Sequence, residues 1–355
     1  MRGLPAPAPY AADDIVLLNL PLWAWQIAVA ALGVAALAYS ARSVWHPATA
    51  ALRWWGLGNI VVNVGIAVSG ATVRVTSSGL GCSEWPRCTE ESFVPVDTGH
   101  AAINAAIEFG NRTLTFLVLA VGVIVFVATL RMRPRRRDLV AYAAVIPLGV
   151  LGQGVVGGIT VWSGLHPASV AAHFLLSMLV VVLTVAFYVR CREPQGRLRP
   201  TVARPLRLAA AALLPLGFAL LVAGTVVTGT GPHGGDAGAP RWGFDIVAVA
   251  RIHSGLAWAV LLISAVVAVG VTVRPAPRPL RTAAYLLLAA VLGQGAVGYL
   301  QYLLGLPEGL VVLHVLGSGL VWVAVLRVYF ATAERVAVTG PGPDPAADTA
   351  AAARG

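Results

Sequence analysis

Two histidines embedded in apolar sequence give this chain its first chemical signal. His173 lies in LGQGVVGGITVWSGLHPASVAAHFLLSMLVV, residues 151–181, and His314 lies in LGQGAVGYLQYLLGLPEGLVVLHVLGSGLVWV, residues 292–323. Gln153 and His173 recur as Gln294 and His314 at one shift of 141 residues. A polar pair kept in register inside apolar sequence marks an internal duplication. Aligning the earlier parts of the copies sets AAIEFGNRTL against VAVARIHSGL, which puts Asn111 opposite His253. Neutral imidazoles at one depth on neighbouring helices are suited to holding a haem iron from both sides. A histidine bonded to the next helix is the competing reading for any one of them. The shared register favours a cofactor, since ionisable groups inside a membrane are costly and are kept for function. His46, His166 and His233 fall in loops, where solvated roles are the default, and His100 is intermediate.

A second constellation surrounds Asn111. His100, Asn104, Glu108, Asn111 and Thr115 share one helical face, and a polar stripe on a membrane helix must face the interior of the bundle or water. Glu108 has two readings. It can accept a proton if burial raises its affinity for one, or it can pair with Arg112 at i, i+4. The aligned residue in the second copy is Ala250, so either role belongs to the first copy alone. Cys82 and Cys88 flank Ser-Glu-Trp-Pro-Arg in a loop expected on the outer, oxidising side, where a disulfide can persist. Cys191 is expected inside and unpaired. Gln153 and Gln294 read as interhelical hydrogen-bond partners.

These residues need helices to position them, and the composition supplies helices of one kind. Of 355 residues, 58% are hydrophobic and 11% charged, well below the roughly 25% charged residues of a soluble domain. The reading is an all-α polytopic membrane protein. All 25 basic side chains are arginine, which excludes Schiff-base chemistry at lysine; their place is in cytoplasmic loops, and no nucleic-acid partner is expected. Apolar runs predict nine spans, at about 15–40, 54–73, 105–130, 139–160, 168–189, 206–228, 246–271, 283–304 and 309–331. Arginine crowds the connections 131–137, 190–207 and 274–281, so these face the cytoplasm. The connections 74–104, 161–167, 229–245 and 305–308 then face outside, with the amino terminus outside and the carboxyl terminus cytoplasmic. Four spans per copy make two parallel-repeat four-helix bundles, plus one extra amino-terminal transmembrane helix. The expected division is 1–50 for the tail and extra helix, 51–195 for the first bundle, 196–335 for the second, and 336–355 for a disordered cytoplasmic tail.

With GATVRVTSSGLGCSEWPRC at 70–88, IEFGNR at 107–112, AAHFLLS at 171–177 and LHVLGS at 313–318 in duplicated four-helix units, the chain resembles the haem A synthase family of cytochrome oxidase maturation. The resemblance covers about residues 54–331. It implies oxidation of the C8 methyl group of haem O to a formyl group, through hydroxylated intermediates, giving haem A. It implies haem b as cofactor, its iron held by His253 and His314 in the second half. The first half would receive haem O as substrate at His173, Asn111 and Arg112, with Glu108 as the catalytic carboxylate and Cys82–Cys88 as the paired cysteines of the outer loop. His173, His253 and His314 are thus the expected iron ligands. The implied setting is a bacterial-type cell membrane with the haem sites towards its outer face. A haem O synthase is the expected hand-over partner, alongside cytochrome oxidase assembly factors and the lipid bilayer.

The sequence departs from the family pattern at Asn111, where a histidine is usual. Asparagine is not an ordinary haem ligand, so His173 alone is expected to ligate the substrate haem. One face of that iron is then left open, as oxygen activation requires. Two other functions fit parts of the pattern. A di-haem cytochrome b-type electron-transfer subunit predicts two equivalent histidine pairs and gives Asn111 no purpose. A transporter of parallel repeats predicts interrupted helices near mid-membrane and no cofactor.

Overall fold

The structure is a computed structural model that describes residues 16–17, 20–96 and 100–337, with the backbone alone at 16–17, 20–26, 28–30, 36 and 100–101. The expected tails at 1–14 and 338–355 lie outside the described residues.

Long apolar runs fold as helices because a membrane offers no water to the backbone, so each segment must satisfy its own N–H and C=O groups. The helices are α1 Leu22–Trp45, α2 Thr49–Val75, α3 His100–Arg131, α4 Arg137–Trp162, α5 Pro167–Arg190, α6 Arg204–Thr230, α7 Ile246–Val273, α8 Arg278–Leu303 and α9 Glu308–Ala331. Among the described residues, α2 to α9 are long and apolar enough to cross a membrane. The chain is therefore an all-α polytopic membrane protein, apart from short strands. The first helix starts seven residues later than the expected Ile15. Val16–Leu17 (β1) and Leu20–Pro21 (β2) are instead extended and paired. Pro21 explains this, because inside a helix its ring would clash with the carbonyl four residues back.

The packing has the pattern of an internal repeat. In one half α2 touches α3 and α5, and α4 touches α3 and α5; in the other α6 touches α7 and α9, and α8 touches α7 and α9. Between the halves α2 meets α9, α5 meets α6, and α5 meets α9. Exchanging the copies maps this contact set onto itself. Helix α1 touches α3 and stands outside the repeat. Its end is fixed where Trp55 Nε1 donates to Ser43 Oγ (2.8 Å) and the Arg131 guanidinium lies 3.6 Å from the centre of the Trp45 ring.

The core lies along the seam between the halves. Ile60 and Val64 of α2, Met178, Val181 and Val185 of α5, and Trp322 and Val325 of α9 belong to one buried cluster. Trp322 Nε1 donates across the seam to the Met178 carbonyl (3.0 Å). Gly319 lets α9 approach Val64 so closely that a Cβ there would stand 3.0 Å from it. Small residues at such contacts supply the packing that replaces the hydrophobic effect between membrane helices.

The two sets of connections separate by end of the molecule. At one end Gly79 N donates to Gly235 O (2.7 Å), and His233 Nε2 is 3.0 Å from Leu306 O. At the other, Arg136 donates to Glu193 O and Arg190 O, and Gln195 donates to Asp138. That second end also holds a feature absent from the expected architecture. Gly196–Pro200 (β3) pairs antiparallel with Ala333–Ala337 (β4). The tail expected to be disordered from 336 is thus strand as far as Ala337. Cys191, buried in a cluster with Leu52, Leu139 and Phe187, has its thiol pushed up to about 11 by desolvation, which suits a structural residue.

Candidate functional site

His253 on α7 and His314 on α9 face one another with ring centres 6.3 Å apart and planes inclined at 64°. Each imidazole has a glycine at its back. A Cβ on Gly224 would stand 3.2 Å from His253 Cε1 and 3.6 Å from Nδ1; on Gly298 it would stand 3.1 Å from His314 Cε1 and 3.6 Å from Nδ1. Cε1 and Nδ1 lie nearest the glycines, so Nε2 is the ring nitrogen that no glycine backs. A metal held by two imidazole nitrogens at about 2 Å on each side sets the ring centres roughly 6 Å apart. The pair therefore fits a bis-histidine haem iron. Among the described residues both Nδ1 atoms are buried without a hydrogen-bond partner; they lie on the glycine side of each ring. Among the described residues no group of three His, Cys, Asp or Glu side chains gathers for a metal; axial ligation of a haem needs only two.

The first half is not a copy of this arrangement. The surroundings of Gln153 orient its amide nitrogen towards His173 Nδ1 (2.7 Å), His173 O and Ser177 Oγ, while its oxygen accepts from Ser177 N (2.9 Å). Gln294 makes only the equivalent backbone bond, to His314 O (2.7 Å). The imidazole of His173 is correspondingly turned: a Cβ on Gly157 would stand 3.6 Å from its Cε1 and 3.8 Å from its Nε2. The His173 ring is thus engaged by Gln153, whereas Gln294 reaches only the backbone of His314. At the position equivalent to His253, Asn111 keeps its Oδ1 buried and without a partner among the described residues. Three of the four repeat-related positions thus carry an orphaned buried polar atom.

Glu108 is 4% exposed and engaged on both oxygens. Its Oε2 accepts from the Cys82 backbone N–H (2.7 Å), and its Oε1 pairs with Arg112. Arg112 in turn donates to the carbonyls of Cys82 (3.0 Å), Glu84 (2.7 Å) and Arg87 (2.9 Å). The pair on α3 clamps the loop that Cys82 and Cys88 close as a disulfide. That loop then sets Trp85 edge-on to Trp162 and over Gly158 of α4, where any Cβ would collide with the ring. Of the remaining stripe, Asn104 Oδ1 accepts from Ser78 Oγ (3.2 Å); the side chain of His100 lies outside the described residues. The second-half loop is tied to the first: Arg74 donates to Thr228 O (3.2 Å) and His233 O (2.6 Å).

Sequence reasoning identified the histidines, Asn111, Glu108, Arg112 and the cysteines. It passed over Gly157, Gly224 and Gly298. The signal was present, since Gly157 and Gly298 stand at the same 141-residue shift as the histidines they touch.

The model of a family described as cytochrome oxidase assembly protein, COX15-CtaA, matches residues 53–239. A protein of Symbiobacterium thermophilum described as heme A synthase is 35% identical over 158 residues, covering 44% of this chain and 48% of that protein. One of the same description from Alkalihalophilus pseudofirmus is 27% identical over 177 residues, covering 48% and 58%. Another, from Halalkalibacterium halodurans, is 30% identical over 142 residues, covering 38% and 46%. The chain spans about half the length of the curated relatives it matches.

Proposed function

The chain belongs to the cytochrome oxidase assembly family COX15-CtaA, and from that premise we propose that it is a haem A synthase. In this reading it oxidises the C8 methyl of haem O to a formyl group through hydroxylated intermediates. The observation that carries it is the facing pair His253 and His314, backed by Gly224 and Gly298. These residues would hold haem b, which when bound supplies a one-electron carrier. The protein's part is to fix the imidazole rings, exclude water and keep each Nε2 free.

Haem O is the substrate of the first half. His173 is its ligand, released from Gln153 as the substrate arrives; Asn111 leaves the other iron face open. Arg112 and Glu108 hold the disulfide loop over this half, and Glu108 is the carboxylate available for proton transfer when the loop shifts. The asymmetry between Asn111 and His253, and between Glu108 and Ala250, favours one reactive and one permanent site over two electron-transfer haems. EPR of protein loaded with haem O tests the open face. No second low-spin bis-histidine signal is expected; such a signal from the first half would contradict it.

The halves are 51–195 and 196–335, two parallel four-helix units, with 1–50 carrying the extra helix. The pairing of β3 with β4 supports the second unit, because it joins that unit's beginning to its end. Arginine places the 131–137, 190–207 and 274–281 connections and the carboxyl terminus in the cytoplasm of a bacterial-type cell, with the haem sites towards the outer face. A haem O synthase is the hand-over partner, and cytochrome oxidase assembly factors stand downstream. Changing either His253 or His314 to Ala should remove the visible spectrum of co-purified haem b. Retention of the full spectrum in both variants would end the cofactor assignment.

A further inference from the structure

At the arginine-rich end, α2 and α5 border a groove of about 240 Å³ lined by Ala50, Arg53, Trp54, Leu57, Tyr188 and Arg192. The Arg192 guanidinium stands 5.3 Å from the centre of the Tyr188 ring, and that of Arg327, from α9, stands 5.6 Å from the same centre. Arg53 and Arg192 thus line the groove, and Arg327 of the other half stands beside its Tyr188 wall. None of the three forms a salt bridge among the described residues, whereas nearby Arg136 and Arg190 are paired with Asp138 and Glu193. Like charges held together without an acid repel, so this arrangement favours an anion.

Depth and shape narrow the class of anion. Arg53 lies four residues inside the start of α2, Arg327 four residues before the end of α9, and Arg192 two residues beyond α5. At 1.5 Å per residue these are within about 6 Å of the helix ends, the depth of lipid headgroups. From there an apolar stripe descends α2 at helical spacing through Trp54, Leu57 and Val61, with Trp54 68% and Val61 61% exposed. A soluble phosphate would use the arginines and leave the stripe idle.

We propose that this groove is a binding site for an anionic phospholipid. Arg53 and Arg192 hold its phosphate through charge-assisted hydrogen bonds, Arg327 adds its charge from beside Tyr188, and an acyl chain lies along Trp54, Leu57 and Val61. Basic pockets between membrane helices recognise lipid headgroups in this way. Because α2 and α5 come from one half and α9 from the other, the bound lipid bridges the seam, at the opposite end from His253 and His314.

The test is native mass spectrometry of the detergent-purified full chain titrated with phosphatidylglycerol, with phosphatidylcholine and inorganic phosphate as comparison arms. Each arginine beside an anionic lipid is worth roughly fivefold in binding. The Arg53→Gln, Arg192→Gln double variant should therefore bind phosphatidylglycerol about thirtyfold more weakly. Arg204→Gln with Arg207→Gln removes the same charge from the exposed first turn of α6 and should leave binding unchanged. Both changes are at exposed positions, and an unaltered haem b spectrum reports folding. Equal loss in the two double variants, or equal binding of phosphatidylcholine by the parent, would overturn the site. Displacement of the lipid by inorganic phosphate alone would overturn the lipid as its ligand.

Discussion

Gly224 and Gly298 hold their histidines by what they lack. At 3.2 and 3.1 Å, a Cβ is too close for the imidazole to stay where it is, and a valine adds two further methyl groups. Gly224→Val and Gly298→Val are expected to lose most of the haem b absorbance, while Gly70→Val should keep it. Gly70 aligns with Gly224 but has open space where its Cβ would go, so equal loss at all three would reduce the effect to general helix disturbance. Gln153 poses the opposite test. Gln153→Leu removes the bond to His173 Nδ1, a difference of about 1 kcal/mol or roughly fivefold. The variant should retain more haem O after purification, measured by extraction; unchanged retention would separate Gln153 from ligation. The facing of His253 and His314 was legible in the sequence because the repeat fixed their register. The repeat kept Gly157 and Gly298 in register too, but glycine is frequent in membrane helices and only three-dimensional packing shows which one faces a ring.

Helix α3 and the disulfide loop act as one element. The sequence offered Glu108 either a proton or Arg112, and the ion pair is present in the structure. The third partner, the Cys82 N–H, lies 26 residues away, beyond the reach of helical spacing. Glu108→Ala leaves Arg112 without its carboxylate and the Cys82 N–H without an acceptor, a loss of about 3 kcal/mol for a buried pair. It should lower the thermal midpoint and stop haem O conversion while sparing haem b. Glu108→Gln can still accept from Cys82. If it restores the midpoint but not conversion, the carboxylate acts in the chemistry; if it restores both, Glu108 is a clamp alone. Reducing the Cys82–Cys88 loop should cost about 2 kcal/mol by loop-closure entropy and leave the haem b spectrum unchanged. The helices themselves were readable from apolar runs, but their ends were displaced where proline or arginine intervened, as at Pro21 and Arg278. The β3–β4 pair was hidden, because GRLRP and AERVA read as polar loop and pair only across 133 to 141 residues of chain.

For the whole molecule, duplication supplies a scaffold, and in the proposed function the divergence of its copies supplies the reaction. The contact pattern maps one half onto the other, yet the histidine pair and its backing glycines belong to the second half. The clamped carboxylate, the disulfide loop and the asparagine belong to the first. Composition and repeat made the membrane architecture legible; the rotation of His173 against His314 was not, since identical residues in register do not reveal side-chain torsions. The claim that one half stores a haem while the other alters one is tested most directly by pyridine haemochrome analysis. The protein is co-expressed with a haem O synthase and purified from membranes. The account predicts haem b bound to the chain together with newly formed haem A, and loss of haem A alone in Glu108→Ala. Haem b with unaltered haem O and no haem A would contradict it.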